Sequence, residues 1–277
     1  MTSLTLTASL PPATGRAGLS GALRSEWTKI RSVRSTLWSI AAMAAIAIGL
    51  NALINYLSID RRWAGMPPGE RLDIMQNPLG QILEGPMSVA QFAVAVIGVM
   101  AISSEYATGM IRSTLQSQPR RFTLFTAKLA VLAALMFVVG EALSFAAFFV
   151  GRFVISAHVP VSLSDPGVLR AVFGAGLYIT VLACFSFAFG LILRHTAGAI
   201  TAVLGLVLVI SQLTQLLPDS WGHHVNAWMP TNAGRLILEQ RVDPKELLTA
   251  WQGLAVFAGW TALLLLVGLY LLRKRDA

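Results

Sequence analysis

Six stretches of about 19 to 26 residues carry almost no charge, and the basic residues between them fall mainly on alternate loops. A bilayer hydrocarbon core about 30 Å thick is crossed by about 20 helical residues, so each stretch is long enough to span. The pattern predicts transmembrane helices over Thr36–Leu57, Pro86–Ser104, Leu129–Val150, Ala171–Leu193, Thr196–Leu217 and Leu247–Leu272. The expected fold is an all-α polytopic membrane helix bundle with six transmembrane helices, because only helices or closed barrels satisfy their own backbone in lipid.

The flanks refine this picture. Residues 1–20, rich in Ser, Thr, Pro and Gly, read as a flexible tail, and residues 21–35 as an amphipathic interface helix before the six-span domain of residues 36–277. Within that helix Leu23, Trp27, Ile30 and Val33 form an apolar stripe suited to the headgroup plane, and Arg34-Ser35 marks a bend. Two loops, Ser58–Gly85 and Pro218–Glu246, are long enough to hold short helices of their own. One is expected around Leu72, Met75, Leu79, Ile82 and Leu83, the other from Thr231-Asn232 through Gln240. Asp243-Pro244-Lys245-Glu246 reads as the cap that starts the sixth span.

Composition agrees with a membrane solvent. The chain is 55% hydrophobic and 12% charged, with a mean hydropathy of +0.67. Its net charge of +8 and pI near 10.4 point to anionic lipid headgroups and not to nucleic acid, since the basic residues are dispersed at span ends. Placing the N-terminus in the cytoplasm leaves thirteen basic and three acidic residues inside, against eight basic and nine acidic outside. That asymmetry follows the positive-inside rule and predicts a multi-pass protein with both termini cytoplasmic.

Little in the spans suggests catalysis. Glu141 is the one ionisable residue well inside a predicted span, so it should face protein or water, as a pathway contact or as a protonated carboxyl between helices. Asn51 and Asn55, four residues apart, and Ser211, Gln212 and Gln215 give the first and fifth spans polar faces, either interhelical glue or a wetted path. Ala41, Ala45 and Gly49 would allow close helix approach. Adjacent His223 and His224 lack further ligands at metal-site spacing, so no metal is expected. Cys184 is the single cysteine. Zincin and serine-hydrolase motifs are missing, and without a Gly-Lys dipeptide there is no phosphate-cradling loop.

The loop after the second span reads as a second short cytoplasmic helix, with Ser104 as cap, Glu105 at its positive end, Tyr106, Met110 and Leu115 as apolar contacts, and Pro119 as its stop. Three segments carry a resemblance: RSEWTKIRS with Glu26, Trp27 and Lys29; Glu105-Tyr-x-x-Gly109 followed by Arg112, Leu115, Pro119 and Arg121; and WMPTNAG over Trp228–Gly234. In these and in its six spans the chain resembles permease subunits of type 2 ABC exporters, in the six-span form common in high-GC Gram-positive bacteria. It departs from many relatives at Met110, where they carry threonine.

The resemblance implies a bacterial plasma-membrane exporter subunit paired with a second permease copy or paralogue. Two copies of a separate cytoplasmic ATPase would drive it, with ATP and Mg bound in that partner and no cofactor in this chain. Carried over, Glu105, Tyr106, Gly109, Arg112 and Leu115 become candidate ATPase-coupling residues, and Trp27 and Arg31 the hinge of the interface helix. Asn51, Asn55, Glu141, Gln212 and Gln215 remain the candidate pathway residues. The alternatives are an ion-gradient transporter working through Glu141, or a non-transporting sensor or assembly module.

Overall fold

The computed structural model describes residues 18–32, 34–110 and 121–274. Every regular element among them is helical. Helix α1, Leu19–Ser32, precedes α2, Arg34–Asn55, which runs on through a π turn at Tyr56–Asp60. Next come α3, Pro68–Gln76, and α4, Gly85–Ala107, the latter preceded by a π turn at Gly80–Glu84. Helices α5, Arg121–Ile155, and α6, Val168–Leu193, are unbroken. Helix α7, Thr196–Leu213, contains a π segment at Gly205–Ile210. Short helices α8, Asp219–Trp228, and α9, Pro230–Arg235, precede α10, Ala250–Lys274.

Six of these helical runs are long and apolar enough to cross a membrane, in agreement with the sequence. Six crossings put α1 and the end of α10 on the same side, called the near face below; α3, α8 and α9 lie at the far face. The third span is much longer than expected, because α5 begins at Arg121 rather than Leu129, so Lys128 lies two turns inside the helix. Ser104 does not cap a new helix; it lies within α4 and its hydroxyl donates to the Met100 carbonyl at 2.6 Å. Asp243-Pro244-Lys245-Glu246 forms a turn closed by the Lys245 amide on Asp243, and α10 starts later, at a Thr249-x-x-Gln252 capping box. On α3 the buried residue is Ile74, while Leu72 and Met75 are exposed.

Helix α6 is the axis, with 61% of its span window buried against 22% for the first, fifth and sixth spans. Small residues explain the tight approach of its neighbours: a Cβ built on Gly98 of α4 would stand 2.5 Å from the Ala183 carbonyl of α6. Helix α5 meets α6 on another side, where Ser144 donates to the Val172 carbonyl. Tyr178, Phe185 and Phe257 join α6 to α10 through tilted ring contacts. At the far face, His158 after α5 stacks on Trp63 at 4.8 Å and reaches Asp60 at 3.1 Å, tying the first long loop to the bundle.

Replacing Gly98 by Leu should therefore lower the melting midpoint in detergent, by about 1–3 kcal/mol of overpacking. Gly259→Ala on α10, where a Cβ meets nothing within 4 Å, should leave the midpoint unchanged or raised.

Candidate functional site

Two of the four charges that meet at the near face are one helical turn apart on α1. Ala22 and Glu26 face the bundle, and Lys29 follows Glu26 at i+3, the spacing that lets side chains meet. Helix α4 ends against them with Glu105, and α5 contributes Lys128. The Lys128 ammonium lies 2.8 Å from Glu26 and 2.5 Å from Glu105; Lys29 lies 2.8 Å from Glu26 and 3.0 Å from Glu105. Two carboxylates and two ammoniums thus alternate, neutral in sum, across three helices.

Their surroundings differ. Glu26, Glu105 and Lys128 are buried, whereas the Lys29 side chain is 46% exposed. Partial burial opposes the Lys29 charge, but the hydrogen bonds and attraction of Glu26 and Glu105 outweigh it and hold its pKa above the usual lysine value. Burying an isolated charge is costly, so each of the three inner charges depends on the others. The second Glu105 oxygen is buried and has no hydrogen-bond partner among the described residues.

A fourth helix docks beside this cluster. Arg194 closes α6 in a left-handed conformation, φ 53°, and lays its guanidinium 5.0 Å from the centre of the Tyr106 ring. Thr196, which opens α7, lies 3.0 Å from the Ser103 hydroxyl. Gly109 then ends the α4 segment at φ +70°, with its amide on the Tyr106 carbonyl, the left-handed stop that glycine adopts most readily.

These positions redraw the sequence expectations. Glu105 turns inward as a strut between helices, and Tyr106 packs against Arg194, so neither offers its polar end as a bare docking surface. Gly109 is exposed with open space around it. Arg112, Leu115 and Pro119 lie outside the described residues, as do the side chains of Arg31 and Gln215. Trp27, next to Glu26 on α1, is 50% exposed, as an apolar side chain at headgroup level would be.

Asn51 and Asn55 are buried and act as caps. Their amides donate to the carbonyls of Gln81 and Ile82 at 2.9–3.2 Å, where the π turn before α4 departs from regular helical pairing. The polar side of the fifth span divides. Ser211 turns inward to the Thr231 hydroxyl and the Asn232 amide, while Gln212 is exposed. Glu141 is wedged between α5 and α6, where a Cβ on Gly176 would stand 2.5 Å from its carboxyl carbon. Both its oxygens are buried without a hydrogen-bond partner among the described residues. No group of three or more metal-ligating side chains occurs among the described residues, and His223 instead contacts the Lys245 carbonyl.

Sequence reasoning assigned Lys128 to a loop and Glu26 only to a segment resemblance. The i,i+3 pairing of Glu26 with Lys29 was the available signal, but the link from Lys128 to Glu26 spans 102 residues of chain. No family model matches this chain, and no curated protein matches it. The geometry defines a multi-pass, all-helical membrane protein whose first helix is ion-paired to the ends of two spans.

Lys128→Met leaves two buried carboxylates facing each other and should destabilise the protein by about 3–5 kcal/mol. Lys29→Ala, at a half-exposed position, should cost less than about 1 kcal/mol. Thermal unfolding of the two variants in the same detergent checks the ordering.

Proposed function

We propose that this chain is the membrane-spanning subunit of an ATP-driven ABC exporter, working in a bacterial plasma membrane with both termini in the cytoplasm. A separate ATPase, in two copies with its own ATP and Mg, supplies the force. A second permease copy or paralogue completes the assembly, embedded in membrane lipid. The cargo class is a lipid, drug or natural product.

One observation carries the reading. The segment joining α4 to α5 is rooted in a buried charge cluster that also grips α1, so force applied there reaches two spans and the interface helix together. A passive loop needs no such root. Helices bound through buried, mutually dependent charges move as one body, which suits alternation between two arrangements of the bundle. The basic excess on the near face supports the orientation. In this reading Glu105 is the root of the lever, and the ATPase contact lies further along, toward Arg112 and Leu115.

The test uses the purified chain in nanodiscs with the ATPase from its own cell. The chain should raise ATP turnover. Gly109→Asn should keep most of that stimulation, because asparagine tolerates the left-handed conformation, and Gly109→Val should lose it with the bundle still folded. ATPases from the same cell that all remain indifferent to the chain would overturn the reading.

A further inference from the structure

The segment after the fifth span does not stay outside the bundle. Ser211 stands about 22 Å along α7 from Thr196, and Trp260 about 20 Å along α10 from Arg273, at a rise of about 1.5 Å per residue. Both lie about 8–10 Å short of the far boundary of a hydrocarbon core about 30 Å thick. Each is bonded to α8 or α9. The Ser211 hydroxyl meets that of Thr231 at 2.5 Å, and the Trp260 indole donates to the Trp228 carbonyl at 3.2 Å. The chain then climbs along α6, packing Ile237 on Gly174 and bringing the Glu239 carbonyl to Arg170 at 2.8 Å. Helices α8 and α9 therefore dip into the far leaflet and leave it again.

The polar groups of this hairpin are satisfied by the protein. Asn226 on α8 accepts the Asn232 amide at 2.5 Å and the Thr214 hydroxyl at 2.9 Å. At the reversal Met229 is extended and Pro230 has no amide, so the Trp228 carbonyl falls outside regular helical pairing until Trp260 closes it. Such closure is required in hydrocarbon, where no water can take the place of the indole.

The other edge of α8 is apolar and open. Trp221, Val225 and Trp228, spaced i, i+4 and i+7, share one edge of the helix and are 52%, 37% and 54% exposed. The same surface continues onto both neighbouring spans: Leu213 and Leu216 are exposed at the end of the fifth, and Trp260 and Leu263 on the sixth. His223 falls on the opposite edge of α8, near the Lys245 carbonyl at 3.2 Å.

We propose that α8 is an interfacial helix of the far leaflet, with Trp221, Val225 and Trp228 set among phospholipid acyl chains and His223 on the aqueous side. Lipid is the occupant because the edge continues the lipid-facing surface of two spans and carries two indoles, the rings that favour the boundary between water and hydrocarbon. Through Asn226 and Asn232 this lipid contact also fixes the far end of the fifth span. The proposal rests on the six spans and is independent of the permease reading.

The experiment uses the full chain, without ATPase, in nanodiscs of zwitterionic lipid. Cys184→Ser removes the single cysteine, so Val225→Cys and His223→Cys each accept one nitroxide label in that background. Electron paramagnetic resonance then compares collisions with oxygen, which concentrates in lipid, and with a water-soluble nickel complex. The Val225→Cys label should be relaxed more by oxygen and the His223→Cys label more by nickel. Nickel dominance at both positions would place the edge in water and overturn the proposal. Protection of the Val225→Cys label from both reagents would overturn it too, by showing that a second copy of the chain covers the edge.

A second measurement avoids the cysteine variants. Phosphatidylcholine brominated in the upper part of its acyl chains should quench wild-type tryptophan emission, and Trp221→Phe with Trp228→Phe should lower the quenched share. An equal share in both proteins would sink the lipid contact. Neither readout involves ATP turnover, so failure here leaves the permease reading standing, and failure of ATPase stimulation leaves the interfacial helix standing.

Discussion

Hydrocarbon offers no hydrogen bonds, and this constraint organises the bundle. Each backbone group that leaves regular helical pairing inside the membrane must find a partner in the protein. Two irregular segments show how that is done. The π turn at Gly80–Glu84 is met by amides from α2, and the end of α7 is met by the Asn232 amide on the Ser211 carbonyl. Charge obeys the same rule. Glu26, Glu105 and Lys128 are tolerated in a buried position because they neutralise one another.

A consequence is that polar side chains mark joints. Around α6 the packing is apolar and close, through Gly98, Ser144 and the aromatic cluster of Tyr178, Phe185 and Phe257. Away from that axis, helix ends are fixed by few but specific bonds: the charge cluster and the Arg194–Tyr106 contact at the near face, the asparagine caps and the His158–Trp63 stack at the far face. An axis held by shape and rims held by polar contacts suit a bundle that keeps its core while its ends rearrange.

The six spans were legible because their signal is length and apolarity, and neither depends on tertiary contacts. The ends were less so. Thr249-x-x-Gln252 competed with the more conspicuous Asp243-Pro244 pair for the start of α10, and the nearer cap prevailed because it adjoins the apolar run. Asn51 and Asn55 were visible as a polar face, but their partners are backbone carbonyls, which carry no side-chain signature. The charge cluster was only half visible. Lys128 looked like a loop residue because it precedes the most apolar part of its span, and its partners are distant in the chain: Glu105 at the end of α4, and Glu26 only when α1 folds back across the bundle. Glu84 and Glu239 were unreadable for a related reason, since two segments far apart in the chain have to converge before they line one cavity at the far face.

The asparagine caps have a mechanical consequence. Helix α2 follows directly on the ion-paired α1, while its far end grips Gln81 and Ile82, whose neighbours Gly80 and Glu84 form part of the cavity wall. The first span is therefore built like a push rod: a tilt imposed where it emerges from α1 arrives, across the full membrane thickness, as a displacement of the cavity rim.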